Sequence, residues 1–117
     1  MMNAEQLSND LAHFSGSENV YRHTMGYVYT DGVKYLAENA GAFWLLDLIA
    51  SYRAKPKVRR EPFVVWNVRV CSKGAIVTAD DGNGNKLATQ RIPFTDFPLA
   101  EIKLYVSDGV IMLPTEY

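Results

Sequence analysis

The chain has 117 residues, 48% hydrophobic and 21% charged, with a formal net charge of -1 at pH 7. A chain of this length and composition can bury one core, so we expect a single ordered domain spanning residues 1–117. The near-neutral charge excludes the strongly basic surface of a general nucleic-acid binder, so any contact with nucleic acid must be local.

Cys71 is the only cysteine, which excludes an internal disulfide and a cysteine-based zinc cluster. We expect it to be a small buried residue. The first residues, MMNAEQLSND, lack the apolar region of a signal peptide, and no apolar run reaches the roughly 20 residues that cross a bilayer. The sequence therefore predicts a cytoplasmic protein without membrane association.

The first half of the chain predicts helices. Leu7, Leu11 and Phe14 have the i, i+4, i+7 spacing of a one-faced helix. Segment 30–41 begins with good N-capping residues and ends in glycine, which predicts a second helix. Segment 42–54, AFWLLDLIASYRA, is apolar on nearly all sides and predicts a third helix in the core. The tyrosine-rich stretch between the first two helices predicts an ordered connection.

The second half predicts strands. Pro56 and Pro62 discourage helix formation between them, and the composition changes there to strand formers. The segment FVVWNVRV alternates in the way of a strand with one buried face. DDGNGN and Ser107-Asp108-Gly109 are turn sequences that each join two strands into a hairpin. The predicted strands cover residues 63–70, 75–79, 86–92, 102–106 and 110–114.

This order of elements predicts an α+β fold, with two to three N-terminal helices packed on one face of a four- to five-stranded antiparallel sheet formed by the C-terminal half. The helical part covers about 4–54 and the sheet part about 62–117. We expect the last strand, VIMLPTEY, at the sheet edge, where it could pair with a second copy and form a homodimer unless Pro114 and Glu116 protect it. Phe94 and Phe97, in the turn between the hairpins, are both predicted to point inward.

Within DDGNGN, the alternating Asp81, Asn83 and Asn85 resemble the first ligands of a calcium loop. Such a loop needs glycine at its sixth position and glutamate at its twelfth, and these positions hold Lys86 and Ile92. The sequence therefore predicts a hairpin turn and no metal site.

A basic segment, 53–60, holds five of the twelve lysines and arginines: Arg53, Lys55, Lys57, Arg59 and Arg60. Cations of this density can contact phosphate groups, with Tyr52 and Trp66 as stacking partners. They also suit the solvated C-terminal end of a helix. The sequence leaves both interpretations open.

We expect no catalytic constellation and no cofactor, because the common signatures of hydrolases, nucleotide binders and metalloproteases are absent. The best candidate for a small enzyme or ligand binder is a pocket around His23 and Asp31, with Arg22 and Asp47 nearby. Asp47 interrupts the apolar third helix, where it lies at a partly exposed edge or needs a buried partner.

The segments GSENVYRH, YTDGVKYLAENAGAFWLLDLIAS, DDGNG, TDFPL and EIKLYVSDGVIMLPTEY, in this order from Phe14 to Tyr117, resemble a family of small bacterial, plasmid and phage proteins known only as a domain of unknown function. The resemblance brings no site residues. It implies a setting of mobile elements, in which small single-domain proteins often bind and inhibit a host or rival protein.

We therefore expect a non-enzymatic protein-binding module, one form of which is an inhibitor of a host defence system such as a CRISPR effector. A small enzyme and a nucleic-acid binder are the alternatives. Aromatic and arginine-rich sequences suit interfaces. The candidate interface residues are Tyr21, Arg22, His23, Tyr27, Tyr29, Tyr52, Arg53, Lys55, Lys57, Arg59 and Arg60.

Overall fold

The computed structural model describes residues 3–16 and 19–117 and has the predicted α+β fold. The helices are α1 (Ala4–Leu11), α2 (Asp31–Ala40), α3 (Phe43–Ser51) and α4 (Pro56–Arg59), with 3₁₀ helices at Tyr52–Ala54 and Pro114–Glu116. The strands are β1 (Val20–Arg22), β2 (Val28–Thr30), β3 (Phe63–Cys71), β4 (Gly74–Asp80), β5 (Lys86–Ile92), β6 (Glu101–Ser107) and β7 (Val110–Met112).

The three predicted helices are present. At the start of α2, the Thr30 hydroxyl accepts a hydrogen bond from the Val33 backbone N–H, and at its end Gly41 adopts a left-handed conformation with φ of 60°. The first helix ends at Leu11, so Phe14 lies beyond its end, and the Phe14 side chain packs against the core. Among the described residues, no helix combines the length and apolarity needed to cross a membrane.

The strands of the described residues form one seven-stranded sheet in the order β1-β2-β7-β6-β3-β4-β5. The sheet is mostly antiparallel, as predicted, and its one parallel pair is β2 with β7. The predicted number of strands, four or five, is too low. The additional strands, β1 and β2, lie within the part expected to be helical. They are three residues long, too short to show strand alternation. Residues 17 and 18 of the predicted connection lie outside the described residues.

The predicted position of the last strand is also wrong. Strand β7 lies between β2 and β6, so its backbone is paired on both sides, and β1 and β5 form the sheet edges. This strand therefore has no free edge through which a second copy could pair to form a homodimer.

One face of the sheet is covered by the helices. Val64, Trp66 and Val68 of β3 point into the resulting core, as the alternation predicts, and they pack with inward residues of β4, β6 and β7 and with the apolar faces of α1–α3. The opposite face carries half-buried and exposed side chains.

Three local expectations differ from the structure. Phe97 is buried at 5% exposure, but Phe94 is 74% exposed, because β5 ends at Ile92 and Phe94 lies outside the sheet. Cys71 is exposed at the last position of β3. The basic segment contains the short helix α4, since Pro56 occupies its first turn, where no backbone N–H is needed.

Candidate binding cleft

A cleft of about 560 Å³ opens where α4 and the preceding 3₁₀ helix meet the sheet. Its floor is apolar and is formed by Val58, Val64, Trp66 and Val106. Val64 and Trp66 are inward positions of β3, and Val106 is the register partner of Val64 on β6. The alternation of these two strands therefore places the floor.

The rim of the cleft carries both signs of charge. Arg53 belongs to the 3₁₀ helix, Arg59 is the last residue of α4, and Arg60 follows as its C-cap. Glu61 follows them, and Asp108 comes from the β6–β7 turn. The cations thus come from one continuous segment, while tertiary contacts bring Asp108 to the same rim.

Arg53 is fixed against one wall. Its Nη1 donates a hydrogen bond to the Met25 carbonyl at 3.2 Å, and its guanidinium carbon lies 5.7 Å from the centroid of the Tyr27 ring. Gly26 has φ of 106°, and a Cβ there would overlap the Arg53 guanidinium. Burial raises the pKa of the Tyr27 hydroxyl, and the Arg53 charge acts in the opposite direction.

Arg59 and Arg60 are exposed at the end of α4. Arg60 Nε donates to the Pro56 carbonyl at 3.2 Å. Among residues 3–16 and 19–117, the close contacts between a basic and an acidic side chain are the Arg69–Glu101 ion pair and the His23–Asp47 hydrogen bond. In this part of the chain, none of the three cleft arginines is paired with a carboxylate.

His23 is held by hydrogen bonds at both ring nitrogens. Nδ1 lies 3.0 Å from the Met25 backbone nitrogen, whose N–H can only donate, so Nδ1 accepts and the ring proton resides on Nε2. Nε2 then donates to Asp47 Oδ1 at 2.7 Å. The His23 side chain is 10% exposed and that of Asp47 is 70% exposed, so Asp47 lies at the exposed edge of α3. The pair anchors the β1–β2 turn to α3.

Asp31 lies in a separate cluster. The Tyr21 hydroxyl donates to Asp31 Oδ1 at 2.8 Å, and this hydrogen bond raises the pKa of Tyr21. Lys34 Nζ lies 4.4 Å from the centroid of the Tyr21 ring. Neither His23 nor Asp31 lines the cleft. The two main residues of the predicted enzyme site therefore do not meet there.

The predicted interface residues divide into two groups. Those that line the cleft are Tyr27, Arg53, Arg59 and Arg60. The other tyrosines contact partners within the fold, since Tyr21 and Tyr29 form a ring pair and Tyr52 packs edge-on against Trp66 at 5.3 Å and donates to Gln90. Those that do not line the cleft are Arg22, His23, Lys55 and Lys57, along with these three tyrosines.

Sequence reasoning missed Glu61 and Asp108 as site residues. Glu61 directly follows the basic segment, and this position could have indicated that it belongs to the same site. Asp108 is recognisable in sequence only as a turn residue, and its φ of 50° agrees with that role. Its place on the rim depends on the pairing of β6 with β3.

The DDGNGN stretch is a hairpin turn, as predicted. Asp81 accepts hydrogen bonds from the backbone N–H groups of Asn83 at 2.9 Å and Asn85 at 3.2 Å and from the Asn85 side chain at 2.8 Å. Gly82 and Gly84 have φ near 90°. Both carboxylate oxygens of Asp81 are thus engaged by the turn itself. In the described ranges, no three His, Cys, Asp or Glu side chains are grouped to hold a metal ion.

Residues 5–117 match a family model described as a family of unknown function (DUF6876). Neither the curated proteins nor the solved structures contain a match to this chain. The family match spans β1–β7 and every cleft residue, in agreement with the resemblance seen in the sequence. The chain therefore belongs to this family of unknown function.

Proposed function

We propose that this chain is a cytoplasmic, non-enzymatic protein-binding module that contacts its partner through the cleft. One observation carries the proposal: Arg53, Arg59 and Arg60 gather over an apolar floor without a carboxylate partner in the described structure. Arginine beside buried aromatic and aliphatic groups is typical of the residues that contribute most to protein interfaces.

The chemistry of the lining favours binding over catalysis. The described residues that form the cleft include no histidine, serine or cysteine, and no hydrogen bond joins the cleft carboxylates, Glu61 and Asp108, to a nucleophile. His23, the best candidate base in the sequence, uses both ring nitrogens in hydrogen bonds within the fold. It has no lone pair free to accept a proton from a substrate.

The mixed charge of the rim favours a protein partner over nucleic acid. Glu61 and Asp108 line the same cleft as the arginines and would repel a regularly charged phosphate backbone. A protein surface can place a carboxylate opposite each arginine and a donor opposite each acid.

Inhibition of a host defence system, such as a CRISPR effector, is a specific form of this proposal. It is motivated by the family resemblance alone. Co-purification with the effector and restored phage plating in cells that carry it would support this form, and normal interference by the effector in the presence of the chain would reject it.

The decisive experiment is quantitative affinity capture from the native host with charge-reversed variants. Arg59→Glu/Arg60→Glu removes two rim cations. Lys55→Glu/Lys57→Glu is the matched control, because it makes the same charge change in the same exposed segment outside the cleft. We expect a stoichiometric partner that is lost with the first variant and retained with the second. Recovery of no stoichiometric partner, or equal loss with both variants, would contradict the proposal.

A further inference from the structure

We propose that the element that occupies the cleft is an acidic segment of the partner protein, with carboxylates directed at the rim arginines and one apolar side chain seated on the floor. This inference rests on the proposed function of the cleft and adds the chemistry of its partner. It is argued from the size of the cleft, its charges and its floor.

The size of the cleft limits the occupant. A volume of about 560 Å³ lies in the range of sites that enclose a small ligand or a few side chains. It is too small for a folded domain or a helix. A short segment that extends from a partner surface can place its side chains in a cleft of this size.

The charges select a carboxylate-bearing segment. Guanidinium groups form paired, charge-assisted hydrogen bonds with carboxylates, and they remain charged at all physiological pH values. Arg53 is already oriented by Met25 and by the Tyr27 ring, so binding costs it little further side-chain freedom. Arg59 and Arg60 are exposed, without a carboxylate partner among the described residues, and can reach an incoming acid.

The acidic rim residues and the floor set the remaining chemistry. Glu61 and Asp108 line the same cleft as the arginines and disfavour a ligand that is negative at every position. The carboxylates of Glu61 and Asp108 can instead accept hydrogen bonds from the backbone N–H groups of a peptide. The floor formed by Val58, Val64, Trp66 and Val106 has no polar side-chain group except the indole N–H, so an aliphatic or aromatic side chain fits it best.

The test is fluorescence anisotropy with three labelled probes. The first is a peptide of eight residues with a central leucine, one aspartate and one glutamate beside it, and uncharged residues at the other positions. The second has lysine at each acidic position, and the third is a single-stranded oligonucleotide. We expect the acidic peptide to bind the wild type and to lose about tenfold or more in affinity for Arg59→Glu/Arg60→Glu, equivalent to about 1.4 kcal/mol. Its affinity for Lys55→Glu/Lys57→Glu should change less than about threefold, because neither lysine lines the cleft and salt screens exposed charges that do not contact the peptide.

Several results would overturn the inference. The inference is wrong if the oligonucleotide binds more tightly than the acidic peptide, or if the acidic peptide does not bind. It is also wrong if both double variants lose the same affinity for the peptide. If the peptide keeps its affinity when serine replaces the central leucine, the proposed apolar contact with the floor is wrong. Circular dichroism of each variant checks that its fold is retained.

Failure of this inference differs from failure of the proposed function. If a captured partner depends on Arg59 and Arg60 but is not displaced by the acidic peptide, the inference is wrong and the binding module stands. If the acidic peptide binds but capture recovers no stoichiometric partner, the proposed function is wrong.

Discussion

Glu116 joins the end of the chain to the start of α2. Its Oε1 accepts hydrogen bonds from the Thr30 hydroxyl at 2.6 Å and the Leu113 N–H at 3.0 Å, and its Oε2 accepts from the Gly32 N–H at 3.2 Å. A carboxylate is favourable at a helix N-terminus, where unpaired N–H groups and the helix dipole are positive. Gly32 leaves space for this contact, since a Cβ there would lie 2.6 Å from Glu116 Oε1.

Glu116→Ala should lower the free energy of unfolding by about 1.5–3 kcal/mol, because it leaves partly buried donors without their charged acceptor. Glu116→Gln should cost less, since its amide oxygen still accepts. The control is Thr115→Ala, which changes an exposed neighbour and should stay within about 0.5 kcal/mol. Guanidinium unfolding measures all three, and a wild-type midpoint for Glu116→Ala would show that these contacts do not stabilise the fold.

At the level of elements, the β4–β5 hairpin depends on the carboxylate of Asp81. Hydrogen bonds lower the pKa of Asp81 below its ordinary value of 3.8. The bond from the Asn85 side chain has the largest effect, and the bond from the Asn83 backbone N–H has the next largest. A carboxyl whose folded pKa is lowered stabilises the fold above its ordinary pKa. That contribution is lost as the pH falls through the lower folded value.

Asp81→Asn should therefore lower the melting temperature at pH 7, since the amide nitrogen cannot accept the hydrogen bond from Asn85. The difference from wild type should shrink as the pH falls below about 3.8. Asp96→Asn, in an exposed loop position, is the control for the loss of one negative charge. A difference that stays constant from pH 7 to pH 2 would show that the Asp81 carboxylate does not act in this way.

At the level of the whole molecule, β7 connects two parts of the sheet that come from opposite ends of the chain. It pairs in parallel with β2, with Tyr29 opposite Ile111, and antiparallel with β6, with Val106 opposite Ile111. Ile111 is fully buried. The β1–β2 hairpin, whose turn supplies the Gly26 and Tyr27 wall of the cleft, is thus attached to the sheet through this strand.

Ile111→Ala should cost about 2–5 kcal/mol through lost burial and the cavity that remains. Amide hydrogen exchange in β1 and β2 should increase more than in β3 and β4, because the first pair depends on β7 for its attachment. Ile76→Ala makes the same change on the uncovered face and should cost less, since Ile76 is only half-buried. Equal destabilisation by both changes, or uniform exchange, would contradict this role of β7.

Much of the fold was predictable because its signals are local. The alternation in FVVWNVRV, the turn glycines and the caps of α2 act over a few neighbouring residues, and each led to the correct element. Strands β1 and β2 were not predictable in this way. They are too short for a periodic signal and exist because Val28 and Tyr29 find partners on β7.

The candidate site divides in the same manner. The sequence by itself determined the α+β class, the inward face of β3 and the concentration of arginine in residues 53–60, since these depend on residue type and short-range spacing. Only the tertiary structure decided that Asp108 joins those arginines, that His23 pairs with Asp47 and that Glu116 contacts Thr30, 86 positions away. Such contacts follow from how the sheet and helices pack, and no local pattern encodes which distant residues that packing brings together.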